Sequence, residues 1–163
     1  MQVKLEYYES WRGIWKNARG YLTLEQAKAF HEKEKPYVGI ISDGETPRFI
    51  IKVNFNYEGY FCGVLHLNEN LDAPLSESYK WRNKQLFLRS VSERYFDGRE
   101  ISLVTYLYET DGSYRKNFFI NGKGTNTSEY GECDVSSHSR EMIQFGNYDS
   151  ILPEEAKKGM REG

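Results

Sequence analysis

Histidines are the side chains of this sequence best suited to acid–base chemistry at neutral pH, because their ordinary pKa is about 6.5. The chain has three, His31, His66 and His138, and no two of them stand at the spacing of a metal-binding pair. His138 lies among serines, but members of a catalytic triad meet in space and need an orienting acid. A ribonuclease-like pair of His66 and His138 is an alternative that nothing in the sequence brings together. We therefore predict no catalytic residue, no metal site and no cofactor, and expect that the chain is not an enzyme.

The two cysteines, Cys62 and Cys133, predict free thiols, because neither belongs to a CxxC motif and two residues make no disulfide framework. The first residues lack the apolar run of a signal peptide. No stretch approaches the roughly 18 apolar residues of a membrane span. We expect a cytoplasmic protein that does not contact a membrane.

The charge balance argues against nucleic acid as a partner. The chain has 22 basic and 24 acidic residues, for a net charge of −2, whereas nucleic-acid binding requires a basic face. The most one-sided stretch before the C-terminal tail is 125–136, with three acids and no base. A solvated face is the simplest interpretation of that stretch, and a docking surface for a basic partner is the alternative.

The elements that would position these residues are mostly β-strands. Aromatic residues, including 13 Tyr, make up 15% of the chain, which is typical of pleated, half-buried surfaces. From residue 37 onward apolar and polar residues alternate, and the runs 48–55 and 60–68 predict a hairpin. Asp-Gly pairs at 97–98 and 111–112 predict two further hairpin turns.

One helix is predicted over residues 24–35. Thr23 and Gln26 stand at the spacing of a capping box. Pro36 ends the helix, because the residue before a proline avoids the α region.

The predicted fold class is α+β, mainly β. We expect a curled antiparallel meander sheet or partly closed barrel of six to seven strands, with one packed helix near the N-terminus. A length of 163 residues is that of a single domain. This domain comprises an N-terminal region at 1–36, the antiparallel sheet at 37–152, and a short charged tail at 153–163 that is helical or disordered.

The tryptophans near the N-terminus support two interpretations. Trp11, Ile14 and Trp15 have i, i+3, i+4 spacing, which predicts a helical turn that places both indoles on the core. The run from Trp11 to Trp15 also resembles the N-terminal Gly-x-Trp of lipocalin-type barrels. That resemblance implies a β-barrel that binds a small apolar ligand, although the helix predicted at 24–35 fits it poorly.

Aromatic and acidic residues in two segments are candidate contacts for a partner protein. One segment is a polar connection at 69–83, and the other is an edge strand at 127–135. Tyr and Trp supply the usual hot spots of interfaces, and carboxylates attract a basic partner. The candidates are Asp72, Glu77, Tyr79, Trp81, Glu129, Tyr130, Glu132 and Asp134. Core packing is the alternative for Trp81, and an ordinary solvated loop is the alternative for Asp72 and Glu77.

The order of features from residue 48 onward resembles a class of small bacterial immunity proteins, which neutralise the polymorphic toxins of contact-dependent growth inhibition or secreted polymorphic toxins. The resemblance begins with 47–53, a Gly-rich hairpin and 86–88, and continues with a meander that ends in an Asp-Gly turn. Its most specific pieces are Asp134-Val135-Ser136-Ser137 and Phe145-Gly146-Asn147-Tyr148-Asp149-Ser150-Ile151. It covers about the last two-thirds of the chain, and the N-terminal third contributes nothing to it.

This resemblance implies a non-enzymatic toxin inhibitor. Such a protein binds its cognate toxin, often a nuclease, and blocks the active site or the substrate path. Nucleases are often basic because they bind nucleic acid, so an acidic, Tyr-rich face would attract one. We expect a monomer whose partner is a toxin protein.

Overall fold

The computed structural model describes residues 3–121 and 124–157 of the chain. Over these ranges the chain forms one open antiparallel sheet of eleven strands. The strands are β1 Val3–Arg12, β2 Asn17–Leu22, β3 Tyr37–Asp43, β4 Thr46–Val53, β5 Tyr60–His66, β6 Leu75–Arg82, β7 Gln85–Arg94, β8 Ile101–Tyr108, β9 Ser113–Ile120, β10 Gly124–Glu132 and β11 Ser139–Arg140. A helix of nine residues, α1 Leu24–Glu32, connects β2 to β3.

Neighbouring strands of the sheet are mostly neighbours in the chain. The order is β10-β9-β8-β7-β6-β5-β4-β3-β1-β2, so β10 and β2 are the outermost strands. The two-residue strand β11 pairs with β7 at Leu86 and Phe87. These residues precede the part of β7 that pairs with β8, which begins at Ser90. The predicted antiparallel, mainly β architecture is confirmed. Six to seven strands was too few, and the sheet is open, so the partly closed barrel is wrong.

The segment predicted as a polar connection contains a strand instead. Residues 69–74 form a loop, and β6 follows, paired with β5 and β7 on either side. Ser78 and Lys80 lie on one face of β6, and Tyr79 and Trp81 lie on the other. Because the polar residues of β6 alternate with its aromatic residues, its composition resembles that of a loop while its period is that of a strand.

The main core lies between one face of the sheet and the chain that follows β11. Tyr148, Ile151 and Leu152 of that segment are buried in the same cluster as residues of β1 and β3 to β7. A smaller cluster on the opposite face consists of Val38, Ile40, Ile50 and Leu67. The centre of the sheet is therefore covered on both faces, and burying each large apolar side chain contributes about 1.5–3 kcal/mol.

Helix α1 begins at the predicted cap. The Thr23 hydroxyl accepts a hydrogen bond from the Gln26 backbone N–H at 3.2 Å, and the Gln26 side-chain oxygen accepts one from the Thr23 N–H at 2.9 Å. The helix ends at Glu32, before the predicted end at residue 35. Glu34 has a φ of 55°, which is a left-handed conformation that a helix cannot continue through.

The helical turn predicted at Trp11, Ile14 and Trp15 is wrong. Trp11 lies in β1, and the chain turns at 13–16 into β2. Ile14 is 92% exposed and Trp15 is 71% exposed, so of the two indoles only that of Trp11 packs against the core. A short apolar run has helical spacing by coincidence when it spans a hairpin turn, because the turn interrupts the two-residue period of the strands.

The C-terminal tail is described as far as residue 157. A helical turn occupies 154–157, and Ala156 in this turn is buried. The rest of the predicted tail, 158–163, lies outside the described residues. No helix in the described part of the chain is long and apolar enough to cross a bilayer.

Candidate functional site

An acidic strand forms one border of the sheet. We call Glu129, Tyr130, Glu132 and Asp134 the acidic edge. The first three lie on β10, which pairs with β9 on one side only. The outer backbone groups of an edge strand have no partner strand, and they are a template for a further chain. Tyr130 is 76% exposed and projects a large ring from this border.

The side chains of the acidic edge divide between the two faces of the sheet. Tyr130 and Glu132 are two residues apart and share one face, whereas Glu129 lies on the other face, opposite Lys116. Asp134 follows the strand and accepts a hydrogen bond from the Ser136 backbone N–H at 2.9 Å. This bond lowers the pKa of the Asp134 carboxyl, which is charged at neutral pH.

The candidate residues between 72 and 81 lie apart from the acidic edge, because β7, β8 and β9 separate β6 from β10. Asp72 forms an ion pair with Lys16 at 3.0 Å. Tyr79 is only 1% exposed and belongs to the core, so a docking partner could not contact it. The ring of Trp81 packs edge-on against that of Tyr57 at 5.5 Å, and both line a cavity of about 340 Å³.

Glu77 pairs with a histidine of the neighbouring strand β5. His66 Nε2 lies 2.7 Å from Glu77 Oε1, and both side chains are mostly buried. His66 also lines a cavity of about 400 Å³ together with Asp43, Arg48 and Glu155. A carboxylate can orient an imidazole, so Glu77 fixes the ring of a histidine that lines this cavity.

The other two histidines have structural contacts. His138 Nδ1 lies 3.0 Å from the Leu88 carbonyl oxygen, and its ring packs against Tyr108 at 4.6 Å. His138 does not line the His66 cavity. His31 Nδ1 lies 2.7 Å from the Tyr37 hydroxyl, and burial lowers the pKa of His31.

The described residues include no candidate metal site. Over 3–121 and 124–157, no group of three His, Cys, Asp or Glu side chains could hold a metal ion. The two thiols differ in exposure, since Cys62 is buried and Cys133 is exposed.

The β1–β2 hairpin has an apolar tip that the spacing of the tryptophans did not predict. Ile14 and Trp15 are the most exposed large apolar residues on that side of the sheet. Gly13 and Lys16 flank them, and Lys16 has a φ of 52°. A glycine between two alternating apolar runs was the signal for this turn.

Comparison with known proteins gives no relative for this chain. No protein-family model, curated protein or solved structure matches it.

Proposed function

We propose that the chain is a non-enzymatic immunity protein that binds a cognate bacterial toxin, a basic nuclease, and blocks its active site. The observation that carries the proposal is the acidic edge, where a highly exposed tyrosine stands among carboxylates on an outer strand. In this proposal the protein acts as a monomer in the cytoplasm.

Three physical features of the acidic edge support binding to a basic protein. Its carboxylates attract positive charge over about 8–10 Å at physiological salt and so raise the association rate. Tyr130 supplies a large amphipathic ring with little side-chain entropy to lose, which is typical of interface hot spots. The outer backbone of β10 can accept main-chain hydrogen bonds from an extended segment of the partner.

Charge complementarity between the acidic edge and the substrate path of a nuclease explains how binding would inhibit the enzyme. The substrate path of a nuclease is positively charged because it binds phosphates. An acidic strand competes for that surface and covers it, so inhibition needs no chemistry by the inhibitor.

The proposal is tested with the toxin encoded by the neighbouring gene. The two proteins are mixed at equal molar amounts, and nucleic-acid cleavage by the toxin is followed. We expect a stable complex and loss of cleavage. A toxin that remains fully active at equal molar amounts excludes the proposal.

A second candidate function rests on the His66–Glu77 pair. An imidazole oriented by a carboxylate in a cavity is an arrangement used in hydrolysis of phosphodiesters and esters. The test is cleavage of RNA by the purified protein and by the His66→Ala variant. Cleavage by the native protein that the variant lacks would favour a hydrolase over an inhibitor, and absence of cleavage by both would exclude it.

The lipocalin-like alternative has lost its structural basis. It depends on a closed barrel around an apolar cavity, whereas this sheet is open. Trp15, at the end of the run that resembles the lipocalin motif, is exposed at a hairpin tip.

A further inference from the structure

Arg89 occupies a bulge at the point where β7 changes its partner strand. Ser78 is paired with Ser90 and Tyr79 with Leu88, so Arg89 is the extra residue of β7 relative to β6. On the other side, β7 pairs with β11 through Phe87 and with β8 from Ser90 onward. Bulges re-aim side chains and are frequent beside functional sites.

One nitrogen of the Arg89 guanidinium has no acceptor. Nη2 lies 2.8 Å from Glu109 Oε1 and forms an ion pair with it. Nη1 is buried and makes no hydrogen bond within the described part of the chain. A buried donor without an acceptor is unfavourable, and each such group in a native structure calls for an explanation, of which a bound ion is one.

Two further cations line a cavity together with Arg89. Lys80, Arg82 and Arg89 line a cavity of about 210 Å³ together with a single carboxylate, that of Glu109. Arg82 donates from Nη1 to the Thr110 hydroxyl at 2.7 Å. Arg82 bonds to Thr110 and Arg89 to Glu109, and both partners lie at the start of the β8–β9 turn. The two guanidinium groups are therefore positioned before any ligand binds.

The charge of this cavity selects the class of ligand. Three cations and one carboxylate leave two positive charges, which match a dianionic phosphate more closely than a monoanionic carboxylate. Guanidinium groups present several donors in a fixed plane and suit the tetrahedral oxygens of phosphate. A phosphate oxygen is also the strong acceptor that Nη1 of Arg89 lacks.

We propose that this cavity is a binding site for a phosphate-class oxyanion, either inorganic phosphate or a phosphate monoester, with Arg89 as its central ligand. Arg82 and Lys80 complete the positive charge. The site adjoins the acidic edge, because Arg89 and Glu109 also line a cavity of about 600 Å³ with Tyr130 and Glu132. Phosphate binding is measured on the protein alone, so either proposal can fail without the other.

The test is thermal unfolding of the full chain in increasing sodium phosphate, with sodium chloride at matched ionic strength as the reference. We expect the midpoint of unfolding to rise with phosphate and to be saturable, and glycerol 3-phosphate to act in the same way if monoesters fit. No rise above the chloride reference overturns the proposal. An equal rise with acetate overturns the assignment to phosphate.

Arg89→Lys is the decisive variant, because it keeps the charge and the partner Glu109 but removes the second guanidinium nitrogen. We expect phosphate to bind at least about tenfold more weakly to it, which corresponds to about 1.4 kcal/mol. Arg99→Lys is the control, since Arg99 is an exposed arginine paired with Asp97, and its phosphate response should equal that of the native protein. An unchanged response in Arg89→Lys contradicts the proposal.

A second variant keeps the test decisive if Arg89→Lys does not fold. Lys80→Gln removes one of the three cations without disturbing the bulge. We expect a weaker phosphate response in Lys80→Gln, and phosphorus NMR of phosphate with the native protein should show line broadening that this variant reduces. Equal broadening with both proteins would refute the site.

Discussion

The Tyr148 hydroxyl lies 2.9 Å from the Tyr37 hydroxyl, and this contact joins the chain after β11 to β3 across 111 residues of sequence. Tyr148 also donates to the Tyr7 hydroxyl at 3.3 Å. His31 Nδ1 lies 2.7 Å from the Tyr37 hydroxyl, so the same chain of hydrogen bonds extends to α1. Burial raises the pKa of all three tyrosines, which therefore stay neutral at physiological pH and stabilise the C-terminal segment on the sheet.

Removing the Tyr148 hydroxyl should destabilise the protein. In Tyr148→Phe the buried hydroxyls of Tyr37 and Tyr7 each lose a hydrogen-bond partner, which costs about 1–3 kcal/mol. The measurement is the free energy of unfolding in urea. Tyr21→Phe is the control, because Tyr21 is exposed and its change should stay within about 0.5 kcal/mol. Equal effects of the two variants would contradict the role of this contact.

His31 should make stability fall as the pH falls below its ordinary pKa of about 6.5. Burial lowers its pKa in the folded state, and Glu32 opposes this shift. The unfolded chain therefore takes up the proton first as the pH falls. The contribution of His31 to stability is present above its unfolded pKa of about 6.5 and is lost as the pH falls toward the lowered value.

The variant His31→Gln keeps a side-chain donor for Tyr37 but cannot titrate. Urea unfolding at pH 7 and pH 5 should show a larger loss of stability for the native protein than for this variant. If both proteins lose the same amount, His31 is not the titrating group.

Truncation of two isoleucines should change the stability by very different amounts. Ile51 is fully buried in the sheet, whereas Ile14 projects from the β1–β2 turn. Ile51→Ala should lower the free energy of unfolding by about 2–5 kcal/mol, and Ile14→Ala should change it by less than about 0.5 kcal/mol. A large loss of stability in Ile14→Ala would contradict the exposed position of Ile14 and would favour the core packing that its spacing in the sequence predicts.

The two thiols should react at different rates. Burial raises the pKa of the Cys62 thiol to about 12, while Cys133 is exposed. A disulfide reagent at pH 8 should modify one thiol of the native protein quickly and both after unfolding, because the thiolate is the reactive form. Cys133→Ser should remove the fast phase, and Cys62→Ser should keep it. Fast modification of Cys62 in the folded protein would show that its strand opens.

Local signals in the sequence predict the local structure well. The capping residues Thr23 and Gln26 identify the start of α1, because the hydrogen bonds of a cap involve only neighbours in the chain. The pairing of β4 with β5 follows from two alternating runs around a short turn.

Features that depend on distant contacts could not be predicted in the same way. Whether Trp15 packs or projects depends on which strands cover it, and spacing alone does not contain that information. Tyr79 and Tyr130 are the same residue type in alternating strands, yet one is in the core and the other is on an outer strand. The acidic residues near Tyr130 indicated exposure, because charges are seldom buried, whereas Glu77 beside Tyr79 lies mostly buried in a pair with His66.

The proposed function depends most on the acidic edge as the surface that would bind a toxin. Its most direct test is the dissociation constant of the complex with the toxin encoded by the neighbouring gene, measured by calorimetry. The variant Glu129→Lys/Glu132→Lys reverses two charges of the acidic edge, and Glu45→Lys/Glu69→Lys makes the same change in net charge at exposed positions elsewhere. We predict at least about 100-fold weaker binding for the first, about 2.7 kcal/mol or more, and less than about threefold for the second. Equal affinities of the two variants would contradict the account.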